Sequence, residues 1–209
     1  MAREPRSTTI HFVRHGQSVR FADAPDAGLT PLGERQAHAT ARFLAAQPVV
    51  AVYTSDTRRA QETAAIIAAA CGHSPTADPR LRERAEYAPT TGMSSADFVA
   101  MWERASAQRE WQPPVGDSAR GCGLRMAAFV AASHAHWPGG HVVAVSHGGA
   151  IADLLLQLFT LAELAAINPA LAARPYDGAL LRECSVTTLS VDVAGITLLD
   201  AASATHLPG

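Results

Sequence analysis

Cysteine is scarce in this chain, and the three present, Cys71, Cys122 and Cys184, are odd in number and far apart. No C-x-x-C pair occurs, which argues against zinc and against a redox dithiol, and the pattern fits a reducing compartment. Lysine-rich tracts are absent, and 17 basic side chains against 19 acidic ones leave a formal net charge of -2. Such a balance creates no field able to gather a polyanion, so nucleic acid is not an expected partner. No uninterrupted apolar stretch is long enough to span a bilayer, and the opening Met1-Ala2-Arg3-Glu4-Pro5-Arg6 is polar, with no apolar signal core behind it. The expectation is a cytoplasmic protein without a membrane partner. A P-loop, a solenoid-length repeat and low-complexity segments are also missing.

What is present is ample core material. Of the 209 residues, 48% are hydrophobic, which suits one ordinary domain and makes a second full one unexpected. The run Thr8-Thr9-Ile10-His11-Phe12-Val13 predicts a buried strand. After a loop with Asp23, Pro25, Asp26 and Gly28, Thr30 can cap a helix that Pro31 begins and that runs to about Ala46, with Leu32, Ala39 and Phe43 inward. Pro48 precedes Val49-Val50-Ala51-Val52-Tyr53, which reads as a fully buried parallel strand. Ser55 is placed as the cap of the next helix, whose Ala60, Ala64, Ile67 and Ala68 face inward until Gly72, and a short extended piece is expected at 79–81. Residues 84–118 break the alternation: polar, proline-containing patches flank one helix with Phe98, Met101 and Trp102, predicting an inserted cap. A helix near 120–136, the strand Val142-Val143-Ala144-Val145 and a helix to Phe159 repeat the opening design, and 185–191 with 196–200 around Gly195 predict an antiparallel hairpin. The expected architecture is α/β: a single domain over 1–209, built as a three-layer α/β/α sandwich on a mostly parallel sheet, with an antiparallel edge strand and a small cap at about 84–118. The apolar segments 154–159 and 161–173 pack either within the domain or against a second copy, which leaves a homodimer open.

Four pieces carry chemistry. Arg14-His15-Gly16 follows the first strand, Arg59 stands in the first turn of a helix after the second, Glu83 follows the third extended piece, and His147-Gly148 follows Val142 to Val145. In a parallel sheet these exits share one edge, where ligands collect. Two histidines, two arginines and a carboxylate would converge there. A phosphoryl group spreads its charge over three oxygens, which guanidinium forks and an imidazole can match while a second imidazole attacks phosphorus. Gly16 and Gly148 would let backbone N–H groups approach phosphate. Glu86 lies three residues beyond Glu83 and is the alternative carboxylate. Met101 and Trp102 read as cap packing, with a leaving-group contact as the other reading. His11, His38, His73, His134, His136, His141 and His206 lack such context and are taken as surface or locally bonded residues.

Three segments recur in order: Arg14-His15-Gly16-Gln17-Ser18, Leu29-Thr30-Pro31-Leu32-Gly33-Glu34-Arg35-Gln36-Ala37 and Thr54-Ser55-Asp56-Thr57-Arg58-Arg59-Ala60-Gln61-Glu62-Thr63-Ala64. Together they resemble the histidine phosphatase superfamily, in its phosphoglycerate-mutase-like branch. Leu81-Arg82-Glu83-Arg84 resembles its acid/base segment, 142–151 its second histidine segment, and Cys184-Ser185-Val186-Thr187 its closing strand; the likeness thins from Ala85 to His141. The resemblance implies that His15 takes the phosphoryl group, that Arg14, Arg59 and His147 hold phosphate oxygens, and that Glu83 protonates the leaving oxygen and then activates water. Gly16, Gln17, Ser18 and Gly148 are the further substrate-binding positions. The family arginine precedes the alanine of R-A-x-x-T, which selects Arg59, while Arg58 points about 100° away and is expected in solvent. Arg14 and Arg59 favour ionised Glu83 until substrate phosphate neutralises them, so Glu83 becomes a useful acid mainly in the substrate complex.

Departures from the pattern favour a phosphatase. A mutase of this family would be expected to carry asparagine where Phe21 stands, a tyrosine-glycine pair three and four residues after Glu83, and an arginine pair in the inserted region. Here positions 86 and 87 are Glu and Tyr, no glycine follows until Gly92, and Arg109 is a lone candidate. The glycine-rich segment usual after the acid is replaced by Ala85-Glu86-Tyr87-Ala88-Pro89. The expected activity is hydrolysis of a small phosphorylated metabolite without metal or cofactor, since guanidinium groups can neutralise phosphate as magnesium does elsewhere. Phosphoglycerate mutation and a non-catalytic phospholigand or partner-binding role are the alternatives.

Overall fold

The computed structural model describes residues 7–19, 27–88 and 92–207. Expectations placed on residues 1–6, Phe21, Asp23, Pro25, Asp26 and Pro89 lie outside them. The strands are β1 (Thr8–Arg14), β2 (Val49–Thr54), β3 (Pro75–Ala77), β4 (His141–Ser146), β5 (Val186–Asp192) and β6 (Gly195–Ser203). They form one sheet in the order β3-β2-β4-β1-β5-β6. The first four are mutually parallel, and β5 and β6 add an antiparallel hairpin at one edge.

The period of two along each strand sorts side chains between two cores. Ile10, Phe12, Val142 and Ala144 face the helices α4 (Ala119–His136) and α5 (Gly148–Leu158), together with Leu164 and Leu171 from α6 (Leu161–Ile167) and α7 (Pro169–Ala173). Val13, Val52, Val143 and Val145 face α1 (Pro31–Ala45) and α2 (Arg58–Cys71). The result is the expected three-layer α/β/α arrangement. Residues Leu154, Leu155, Leu164 and Leu171 pack inside the first core, while Leu161 and Ile167 remain exposed. Between β3 and α4, the helix α3 (Ser95–Ala107) places Phe98 and Met101 over Ala85 in a separate small apolar cluster with Tyr87, Trp102 and Trp111. No single helix among the described residues is long and apolar enough to cross a membrane.

Several local expectations change. Thr30 caps α1 through the Gly33 N–H as expected, but Leu32 and Phe43 are exposed. Ala39 is buried as expected, and with it Gly33, Gln36, Ala37, Thr40, Ala41 and Leu44, whose mostly small side chains let α1 sit close to α2. Phe43 instead stacks on His206 at 4.9 Å. Strand β2 is only partly buried, because its outer neighbour β3 is three residues long. Residues Pro79–Leu81 form a 3-10 turn, capped by Asp78, and the extended piece lies earlier at Pro75–Ala77. His11 is buried, not superficial, and bonds His141 and Thr188 across the sheet.

Candidate active site

Sheet order places the site. β4 lies between β2 and β1, with Arg14 paired to Ser146 and Thr54 to Val145, so the chain leaves three adjacent strands at one level. Arg14-His15, Ser146-His147 and Thr54-Ser55 therefore emerge side by side. The 3-10 turn after β3 then carries the chain to Glu83. Helix α5 begins at Gly148 directly after His147, and its N-terminal dipole adds positive potential at the same edge.

His15 and His147 meet edge to face with centroids 5.1 Å apart. His15 Nδ1 lies 2.8 Å from the Gly16 carbonyl, to which it donates, and Arg59 Nε donates to His15 Nε2 at 3.2 Å. The tautomer is thereby set: Nδ1 carries the proton and Nε2 offers its lone pair. Burial, then Arg59 and Arg14, pull the His15 pKa down to about 3 against the opposing Gly16 bond. Burial, His15 and Arg59 hold His147 well below the ordinary imidazole range. Both rings are neutral at pH 7. Arg59 NH2 also reaches His147 Nδ1 at 3.2 Å, so the proton of His147 sits on Nε2, facing Ser55 Oγ at 2.9 Å. The Ser55 hydroxyl therefore accepts from this ring, and both nitrogens of His147 are engaged within the protein.

Ser55 thus does not cap α2; Thr57 occupies that position without a side-chain cap bond, and the serine serves the imidazole. Thr63 Oγ1 accepts from Gly16 N at 3.0 Å and donates to the Arg59 carbonyl at 2.7 Å, locking α2 to the His15 turn. The Gly16 N–H is therefore committed within the protein and does not face phosphate as expected. A side chain at Gly16 would approach the Gly33 carbonyl to 2.7 Å, so the turn needs glycine for packing. Gln17 accepts the Thr30 hydroxyl at 2.8 Å and belongs to the α1 cap, whereas Ser18 lines the cavity. Gly148 lines a smaller space of 180 Å³ beside it.

Each guanidinium has an acidic neighbour. Arg14 donates to Glu183 at 2.8 Å and to the carbonyls of Leu181 and Gly178, and its buried Nε has no acceptor in the described protein. An unfilled buried N–H at this position is an opening for an anion. Arg59 donates to Glu86 at 2.5 Å. Arg58 points outward and pairs with Glu62, as its helical angle required. Glu83 accepts from the backbone N–H of Gly149 at 3.0 Å and of Arg84 at 2.8 Å. Arg14, His15, Arg59, Glu83, Glu86 and Glu183 line one cavity of 380 Å³ together with Tyr87, Phe98, Val99 and Trp102.

Beneath Glu83 lies a buried support that residue types alone did not reveal. Arg84 bonds both oxygens of Asp153 at 3.2 and 3.3 Å, Tyr176 donates to Asp153 at 2.6 Å, and the Arg84 guanidinium lies 4.0 Å over the Trp102 ring. Burial raises Asp153 to about 7 against the pull of Arg84. Arg84 also bonds Ser106 at 2.7 Å, so this node ties the acid segment to α3, α5 and the loop after α7.

The sequence agrees with this geometry when compared with known proteins. The family model for the histidine phosphatase superfamily, branch 1, matches residues 10–198. A protein named probable phosphoglycerate mutase GpmB, from Yersinia enterocolitica, is 34% identical over 161 residues, which cover 73% of this chain and 75% of that protein. The structure of a mycobacterial glucosyl-3-phosphoglycerate phosphatase with inorganic phosphate superposes with a TM-score of 0.69 at 28% identity, covering 96% of this chain and 99% of that one. Phosphoglycerate mutase from Bacillus anthracis shares the fold, with a TM-score of 0.70 at 16% identity over 97% of this chain and 96% of that one. With a neutral histidine pair, two guanidinium groups and a carboxylate gathered at the strand exits, this chain belongs to branch 1 of the histidine phosphatase superfamily.

Proposed function

We propose that the protein is a phosphomonoester hydrolase acting on a small phosphorylated metabolite through a phosphohistidine. The observation that carries the reading is the orientation of His15, whose Nδ1–H is held by the Gly16 carbonyl while neutral Nε2 meets Arg59 at the cavity. Phosphate oxygens take over the donors of Arg14, Arg59 and His147, and His15 Nε2 attacks phosphorus. The bond from phosphorus to the leaving oxygen breaks as Glu83 passes its proton to that oxygen. Water then attacks phosphorus, Glu83 accepts its proton, and the bond to Nε2 breaks to release inorganic phosphate and neutral His15. Glu83 fits the acid role better than Glu86, whose carboxylate is already spoken for by Arg59.

Phosphoglycerate mutation is the second reading, favoured by the name of the 34% identical relative. Against it, Arg109 spends its terminal nitrogens on the carbonyls of Leu156 and Asp153, which removes the lone candidate for a substrate carboxylate clamp. The deciding experiment follows release of inorganic phosphate from a panel of phosphorylated metabolites, with and without chelator, alongside interconversion of 3- and 2-phosphoglycerate. Phosphate release that survives chelation and disappears in His15→Ala supports the reading. Interconversion without release, or undiminished release by the variant, refutes it.

A further inference from the structure

The Glu83 carboxylate is gripped by two backbone donors, and one buried ion pair sets the distance between them. One oxygen accepts the Arg84 N–H at 2.8 Å and the other accepts the Gly149 N–H at 3.0 Å. Gly149 stands in the first turn of α5, where backbone N–H groups have no acceptor within the helix, so the carboxylate satisfies it. Arg84 in turn bonds both oxygens of Asp153, one turn beyond Gly149 on α5, and Tyr176 donates to the same carboxylate. The Arg84 guanidinium also lies against the Trp102 ring. Trp102 Cζ2 and Glu83 Oε1 come to 2.5 and 2.7 Å from where a Cβ on Gly149 would stand, so the indole packs beside the acid. The side chains of Arg84 and Asp153 are 1% and 0% exposed. Burying such a pair costs so much desolvation that apolar side chains of the same volume are often at least as stable. Stability thus gives little reason for charges here, whereas orientation does: a guanidinium bonded to a carboxylate and a hydroxyl, with a ring on its face, has one direction. Among the described residues, these two side chains bond each other, Ser106, Trp102 and Tyr176, and none of Arg14, His15, Arg59 or His147.

We propose, resting on the hydrolase reading, that Arg84 and Asp153 are positioning residues for proton donation: their ion pair holds the Glu83 loop against α5, so that the Gly149 N–H and the Trp102 ring aim the carboxyl at the leaving oxygen. Neither residue touches the phosphate. Breaking the pair misaims the acid and leaves the phosphate cradle in place, so the loss grows with the leaving group's need for a proton. A misplacement of about 1 Å in such a group costs about 10²-fold.

The test compares glycerol 2-phosphate, whose alkoxide must be protonated as it leaves, with 4-nitrophenyl phosphate, whose phenolate need not be. kcat/KM for both is measured at pH 8, above the Asp153 value of about 7, so that the pair is ionised. The chains are the native protein, the double variant Arg84→Met/Asp153→Asn, Glu83→Gln, and the triple variant. Changing both partners strands no buried charge, as either change alone would, and the asparagine still accepts from Tyr176. The alkyl-to-aryl ratio should fall about 10²-fold in the double variant, and the same two changes should lower it no further in the Glu83→Gln background. A general packing defect slows both substrates together. A ratio unmoved by the double variant, or a further fall in the Glu83→Gln background, overturns the positioning role while measured turnover leaves hydrolysis standing. Absence of turnover on both phosphates counts against hydrolysis instead, and amide hydrogen exchange then decides the positioning. Exchange at Gly149 should quicken about tenfold in the double variant relative to Ile151, whose N–H bonds the His147 carbonyl in the same helix; an unchanged relative rate overturns the proposal.

Discussion

The burial that keeps His15 neutral has a measurable consequence in acid. Its pKa falls from 6.5 to about 3 on folding, mainly through desolvation and then through Arg59. Between those values the unfolded chain holds a proton that the folded chain refuses, so unfolding takes up a proton and stability is lost as pH falls through this window. His15→Gln abolishes this titration while keeping a polar side chain of similar reach. At about 1.4 kcal/mol for each pKa unit, the stability difference should shift toward the variant by about 3 kcal/mol between pH 7.5 and pH 4. His11 also falls to about 4 and Asp153 rises to about 7, but both titrate in either chain and largely drop out of the difference. Urea unfolding of the two chains at half-unit pH steps measures it, and the histidine ring resonances followed by NMR give the folded value directly. Parallel stability profiles, or a His15 ring that titrates near 6.5, would refute the reasoning.

Other outcomes follow from the same coordinates. Glu83→Gln cannot supply a proton, so kcat on alkyl phosphates should fall by about 10²–10⁴-fold, with a much smaller loss on an aryl phosphate whose leaving group needs none; equal losses on both would remove Glu83 from the acid role. In Gly149→Ala the new methyl would meet Trp102 ring carbons at 2.5 and 2.6 Å and Glu83 Oε1 at 2.7 Å, so steady-state kinetics should show a lower kcat. Thr63→Val strips the Gly16 N–H of its acceptor and should cost about 1–3 kcal/mol in urea unfolding. Arg59→Ala should abolish turnover while Arg58→Ala, which removes an exposed side chain paired with Glu62, should leave it nearly intact.

The reading of residues reached the architecture because its signals are local. Continuous apolar runs mark β1 and β4, Thr30-Pro31 marks the start of α1, and Gly72 ends α2 with a φ of 75°. Periodicity misled where close packing overrode it: small residues of α1 took the interior and left Leu32 and Phe43 outside. Ser55 was misplaced as a cap because a serine before a helix carries the same local signature whether it bonds the backbone or a distant ring. Arg14, His15, Arg59, Glu83 and His147 could be named from their places at strand exits, and they do line or adjoin one cavity.

Chain order, then, dictated the elements and the kind of chemistry, since helix, strand and exit residue are set within a few neighbours. The pairings around the candidate site arose from folding. Arg14 meets Glu183 across 169 positions, Arg59 Nε meets the ring of His15 across 44, and Arg84 meets Asp153 across 69. Those partners depend on β4 being inserted between β2 and β1 and on the turn that brings Glu83 to α5. Local propensity does not encode such distances, and only the packed sheet and its two helical layers supply them.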